Sequence, residues 1–215
     1  MDIYLNSFTP LYVNRVGRQA ASQNNIPPFV DGSCRREPDF ENPFPAISEL
    51  CRPKKFISRL SEKDIVIYIT KASRYKSNDS QWSFVAALEV IKLLNSHEDA
   101  VEYYEKMGVP VSHNIMYHAN EPLSWEFTHG ICGFKWKGLN EAQRIRRWNH
   151  GYKERAQNNP LVAICKPWEG QLHLDNPPVI DRNMMKKIFR RIPGTQNPPK
   201  FREAEWERFK SVLNI

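Results

Sequence analysis

The stretch FVDGSCRREPDFENPFP, Phe29 to Pro45, gathers Asp31, Arg35, Arg36, Glu37, Asp39 and Glu41 among three phenylalanines. Arginine makes planar, bidentate contacts with phosphate or with a guanine edge, and carboxylates accept from base amino groups. A loop that mixes both beside Phe29, Phe40 and Phe44 suits a base or nucleotide. Asp31, Arg35, Arg36, Glu37, Asp39 and Phe40 are therefore the candidate ligand-binding residues. Two other readings of the same residues stand beside this one. Asp31-Gly32-Ser33 carries turn chemistry, and the charges can simply be solvated and paired with one another. The loop can also be catalytic, with Asp39 or Glu37 as acid or base and Arg35 or Arg36 as an anion clamp. Cys34, beside two arginines, has the setting that depresses a thiol pKa, although an incidental cysteine is the commoner outcome.

A second candidate is EAQRIRRWNHGYKERA, Glu141 to Ala156. Between Gly133 and Ala156, Lys135, Lys137, Arg144, Arg146, Arg147, Lys153 and Arg155 face only Glu141 and Glu154. On a helix, Arg144, Arg147 and Arg155 fall near one face with Trp148 and Tyr152 alongside. Phosphate contacts interleaved with aromatics have this pattern. Arg144, Arg146, Arg147, Lys153 and Arg155 are the candidate phosphate contacts, and Trp148 and Tyr152 the candidate stacking residues. The competing reading is an amphipathic surface helix whose aromatics face the core. Lys186, Lys187, Arg190 and Arg191 form a third basic cluster, either tracking a phosphate backbone or serving as a solvated face.

The remaining motifs exclude more than they suggest. The six histidines hold no H-x-x-x-H or H-E-x-x-H pair, and His113 and His118 project to opposite faces if they lie on a strand. No metal is expected. There is no G-x-S-x-G, no phosphate-cradling glycine loop and no G-x-G-x-x-G, so no cofactor is expected either. Cys34, Cys51, Cys132 and Cys165 are widely separated, against a zinc ribbon or a disulfide framework.

The elements that must position these residues read as follows. A first strand runs from Ile3 to about Phe8. Residues 17–55 have little periodicity and form a long loop, within which Pro45 to Arg52 reads as one short helix with Ile47, Leu50 and Cys51 on a face. Lys63 to Ala72 is a β-branched strand suited to burial on both faces. Trp82 to Ile91 reads as its hairpin partner across YKSNDSQ. Ser96 caps a helix whose stripe is Val101, Tyr104 and Met107 and whose end is Gly108. VPVSHNIMYH and PLVAICK read as further strands, with a helix over Gly138 to Ala156 between them. Met184 to Phe189 starts a short helix, and Arg202 to Leu213 is a terminal one. The expected fold is α+β: a small mixed or antiparallel sheet or open barrel with several peripheral helices, in one domain over 1–215 with a helical extension from about 181. Net charge is +7 with a pI near 9.2, which favours an anionic partner, DNA or RNA among them. Asp2 follows Met1 in place of a basic region and no apolar run is long, so a soluble, reduced, cytoplasmic protein with no membrane partner is expected.

The order of segments over residues 34–70 resembles the nucleotide-modification-associated domains found near DNA-base-modification genes. Arg36, Asp39, Phe40, Asn42, Pro43, Phe44, Cys51, Arg52 and Pro53 occupy matching places. Lys63-Asp64 stands where Gly-Asp is usual, a departure at the turn. The layout is also similar to the pseudouridine-synthase-and-archaeosine-transglycosylase-like (PUA-like) barrels. That resemblance implies an open barrel gripping a base between aromatic and polar side chains, with Trp82, Trp125 or Trp148 as stacking candidates.

The first reading is a nucleic-acid-binding module that takes a base, modified or not, on the charged loop and phosphates on the basic helix. An enzyme acting on a nucleotide or nucleic-acid base, and a protein-interaction factor, are its rivals.

Overall fold

The computed structural model describes residues 1–13, 15–33, 35–50, 56–75, 78–121, 138–194 and 198–215. In chain order the elements are β1 (Ile3–Phe8), α1 (Arg15–Gln23), β2 (Ala46–Ser48), β3 (Ile65–Thr70), β4 (Trp82–Leu94), α2 (His97–Met107), α3 (Glu141–Asn158), β5 (Val162–Leu172), β6 (Val179–Ile180), α4 (Arg182–Phe189) and α5 (Glu203–Leu213). The sheet order is β1-β3-β4-β5-β2, with β6 joined to β4. β1 runs parallel to β3, and the other pairings are antiparallel. The fold is α+β, a mixed sheet curled into an open half-barrel with five helices around it among the described residues. β3 is buried on both faces along its whole length, as its β-branched run requires.

Two apolar layers flank the curl. On one side Ile3, Leu5, Ile65, Ile67, Phe84 and Ala87 pack against α4 and α5 through Met185, Ile188, Trp206 and Phe209. On the other, Tyr4, Phe8, Val66, Tyr68, Val85 and Leu88 are covered by Phe29 and Phe40 of the charged stretch, with Ile47 of β2 and Phe56 beside them. The stretch is thus an integral layer of the core. α2 begins where Ser96 Oγ accepts from Asp99 N at 2.9 Å and ends at Gly108, whose φ of 67° is the left-handed conformation a helix stop favours. α3 starts with a reciprocal cap, Asn140 and Gln143 each accepting the other's backbone N–H.

Lys63 takes the turn into β3 at φ 74°, in the left-handed region that costs a side chain about 1 kcal/mol. Glycine is at ease there, so Lys63→Gly is expected to stabilise the fold by up to about 1 kcal/mol in urea unfolding. An unchanged or lowered midpoint would show that the lysine is held by something other than its backbone.

Three expectations need correction. Pro45 to Arg52 does not begin a helix: Ala46 to Ser48 is extended and pairs with Val162 to Ile164 of β5. The local pattern is overridden because Asn114 Nδ2 donates to Ala46 O and Glu37 accepts from Ser48 N, bonds available only to an extended chain. VPVSHNIMYH is not a strand but a run of turns, with Ile115 N bonded to Ser112 O and Asn120 N to Tyr117 O. The side chains of Ser112, Asn114 and Asn120 replace a ladder there. Finally, the long stretch 17–55 overlaps a helix, α1, buried through Gly17, Ala20 and Ala21. Its stripe is of small residues, which gives little hydrophobic signal.

Candidate ligand-binding cleft

The charged stretch folds on its own carboxylates. Asp31 Oδ1 accepts from Ser33 N at 2.8 Å and Glu37 N at 3.1 Å, an Asx turn that reverses the chain. Burial raises the Asp31 pKa, against those bonds. Arg36 closes the turn: its Nη1 donates to Asp31 O at 2.8 Å and its Nε lies 3.3 Å from Glu41. Desolvation pulls the Arg36 pKa down, opposed first by Glu41. The Glu37–Pro38 peptide is cis.

Several of the candidate residues point inward. Glu37 is enclosed, with Oε1 accepting from Ser48 N at 2.6 Å and Oε2 accepting from Ser48 Oγ in a short bond and from Asn114 Nδ2 at 3.2 Å. Burial pushes its pKa up to about 8. Arg35 donates to Ile115 O at 2.8 Å and its guanidinium lies 5.0 Å from the Trp148 ring centre, tying the stretch to α3. Phe40 is 1% exposed, wedged against Phe8 and Tyr68. Asp31, Arg35, Glu37 and Phe40 thus build the scaffold, and none of them lines the open cleft described next.

Arg36 and Asp39 do line it. A cleft of about 420 Å³ is bounded by Arg36, Asp39, Glu41, Asn42 and His113, with Ile26 and Val111 as apolar walls. Asp39 Oδ2 is held by His113 N at 2.9 Å and Ser112 Oγ at 3.3 Å. Its other oxygen, Oδ1, is buried and has no hydrogen-bond partner among the described residues, and the same is true of His113 Nδ1. Burial holds the His113 pKa below its ordinary value, against the pull of Asp39, so the ring is neutral at pH 7. Buried polar atoms nearly always have partners, so Asp39 Oδ1 and His113 Nδ1, on two residues that line one cleft, are candidate contacts for a ligand. His113 and Glu41 were not singled out by motif: His113 reaches Asp39 only because the 109–118 segment turns, and nothing local signals that.

Behind the cleft, Asn120 Nδ2 bridges Ser112 O and Ile115 O, and Asn42 Nδ2 donates to Pro110 O, fixing both walls. Buried His97 pins the segment's far end. Its Nδ1 accepts from Met116 N at 2.9 Å while Nε2 donates to Asn159 O at 3.0 Å, and desolvation brings its pKa down to about 4.

The basic helix divides in two. Trp148 is fully buried and stacks on Tyr152 at 5.5 Å between ring centres, with Arg35 also against it. It presents no ring face to a base, which corrects its assignment as a stacking residue: its hydrophobic area is spent joining α3 to Met116. Arg144 is also buried, 3.5 Å from Glu141. Arg146, Arg147 and Lys153 are exposed, while Arg155 and Tyr152 are half-buried. Lys186, Lys187, Arg190 and Arg191 are exposed on and just after α4, a helix packed on the opposite layer of the sheet from the charged stretch.

Cys34, Cys51, Arg52, Pro53, Trp125, Cys132, Lys135 and Lys137 lie outside the described residues. Cys165 is buried, and burial raises its thiol pKa steeply, the opposite of nucleophile activation. Among the described residues no group of three or more His, Cys, Asp or Glu is placed to hold a metal ion, and no helix is long and apolar enough to cross a membrane. Comparison with protein-family models, with curated proteins and with solved structures finds no match.

Proposed function

We propose that the protein binds nucleic acid, taking one base into the Asp39–His113 cleft while the exposed cations of α3 hold phosphates. The observation that carries this reading is the orphan Asp39 Oδ1, a buried acceptor at a cleft of about 420 Å³, within the range of small-ligand sites. Arg146, Arg147 and Lys153 supply the sequence-independent attraction, and the net charge of +7 favours the same partner. The turn segment 112–120 links the two parts, since it lines the cleft at His113 and meets α3 where His118 lies 5.7 Å from Tyr152.

Binding of single- and double-stranded DNA and RNA oligonucleotides across a salt series tests the two parts separately. Arg146→Glu with Arg147→Glu is expected to weaken all sequences alike and to lower the salt slope by about 2. Asp39→Asn turns an acceptor into a donor at the cleft and is expected to cost about 1–3 kcal/mol of base preference while leaving the salt slope unchanged. Identical slopes for wild type and the double charge reversal would sink the phosphate assignment.

A second reading is favoured by the pairing of a neutral imidazole with a carboxylate in one cleft, a usable acid–base couple. In that case the protein is an enzyme on a nucleotide or nucleic-acid base, with Asp39 rather than the enclosed Glu37 as the working carboxylate. Asp39→Asn would then abolish turnover and leave oligonucleotide affinity intact.

A further inference from the structure

The balance of hydrogen-bonding groups in the cleft narrows what it can accept, given the reading of it as a base site. Its charged lining is two carboxylates, Asp39 and Glu41, against one guanidinium, Arg36. That guanidinium is engaged, 3.3 Å from Glu41 and donating to Asp31 O. Asn42 is engaged as well: its Nδ2 donates to Pro110 O and its Oδ1 accepts from Phe44 N. His113 adds no positive charge at neutral pH. The lining is thus short of cationic donors and rich in acceptors, with Asp39 Oδ1 buried and still in need of a donor.

We infer that the cleft selects a base carrying an exocyclic amino group, of the cytosine, adenine or guanine type, and rejects uracil, hypoxanthine and phosphate. An amino group offers two N–H donors, which suit Asp39 Oδ1 and the nearby Glu41 carboxylate. A uracil edge instead flanks its one N–H with two carbonyl oxygens, and hypoxanthine lacks the amino group that guanine carries beside its N–H. Uracil thus brings acceptors against carboxylates and hypoxanthine leaves a buried acceptor without its donor, the kind of mismatch that rejects a near-isostere more strongly than any lost apolar contact. A phosphate meets the same like-charge opposition and is left to the α3 face. The apolar walls, Ile26 and Val111, then contact the ring.

The probes are the nucleosides cytidine, uridine, guanosine and inosine, titrated into the full chain by calorimetry or saturation-transfer NMR. Cytidine is expected to bind at least about tenfold tighter than uridine, and guanosine than inosine. Glu41→Gln, which keeps the length of the side chain but removes the charge paired with Arg36, is expected to shrink both ratios in protein whose circular dichroism spectrum is unchanged, and Asp39→Asn to abolish them. Equal affinities within each pair, all weakened by Asp39→Asn, would overturn the amino selectivity while leaving the base cleft standing. Failure of every nucleoside to bind, with oligonucleotide binding intact and insensitive to Asp39→Asn, would remove the base cleft itself and this inference with it.

Discussion

Stability is expected to fall by roughly 2 kcal/mol between about pH 6.5 and 8 in the wild type, and by less in Glu37→Gln. Two buried groups set this shape. Glu37, raised from 4.5 to about 8, keeps its proton in the folded state while the unfolded chain loses it, so its contribution is full below pH 4.5 and drains away as pH rises to 8. His97, depressed from 6.5 to about 4, works in the other direction: its contribution is full above pH 6.5 and is lost as pH falls towards 4. Between 4.5 and 6.5 the two slopes oppose each other. Asp31, also raised, adds to the Glu37 slope, and His113 and His173, also lowered, add to that of His97. Above 6.5 all three histidines are neutral in both states, and the raised carboxyls, Glu37 foremost, carry the fall. Urea unfolding at pH 5, 6.5 and 8 checks this. Parallel declines in wild type and Glu37→Gln between 6.5 and 8 would mean that Glu37 is not the proton carrier.

Trp148→Ala is expected to cost about 3–5 kcal/mol of stability, as truncation of a fully buried tryptophan does. It empties the seam between α3 and the turns at Met116 and removes the ring under Arg35. Arg35→Ala is also costly, because it removes a buried 2.8 Å bond and leaves Ile115 O with Asn120 Nδ2 as its remaining donor. The two changes act on one contact, so the double variant is expected to lose less than the sum of the singles by about 0.5–3 kcal/mol. Strict additivity in denaturant midpoints would show the guanidinium–indole contact to be incidental. The prediction also separates two roles for Trp148: a stacking residue would lose nucleic-acid affinity at full stability, whereas a core residue loses stability first.

These residues show what was legible in the sequence. Strands whose own chemistry decides them, such as Ile65 to Thr70 and Trp82 onward, were readable, as were helices with a cap at each end, such as the one from Ser96 to Gly108. Elements decided by distant partners were not. Ala46 to Ser48 is extended because Glu37, Asn114 and β5 make it so, and Val109 to His118 turns because its serine and asparagines bond sideways. The site followed the same division. Asp39 and Arg36 were marked by composition, but composition does not say which charges face in, so Arg35 and Glu37 read the same as their neighbours. His113 entered only through a fold over 74 residues of separation. A helical stripe likewise identified Trp148 and Arg144 without revealing that they face the core.

The cover over β1 matters to how copies of this chain meet. β1 is the outermost strand on its side, yet Pro199 to Phe201 runs along it, with Leu5 N bonded to Pro199 O, Phe201 N to Ile3 O, and Lys200 paired to Asp2 at 2.5 Å. A neighbouring molecule therefore finds a strand whose hydrogen-bonding groups are partly taken and a lysine standing over it. At the opposite end β2 is only three residues long. The β1 flank therefore does not offer the long, unpaired strand that templates fibrillar association.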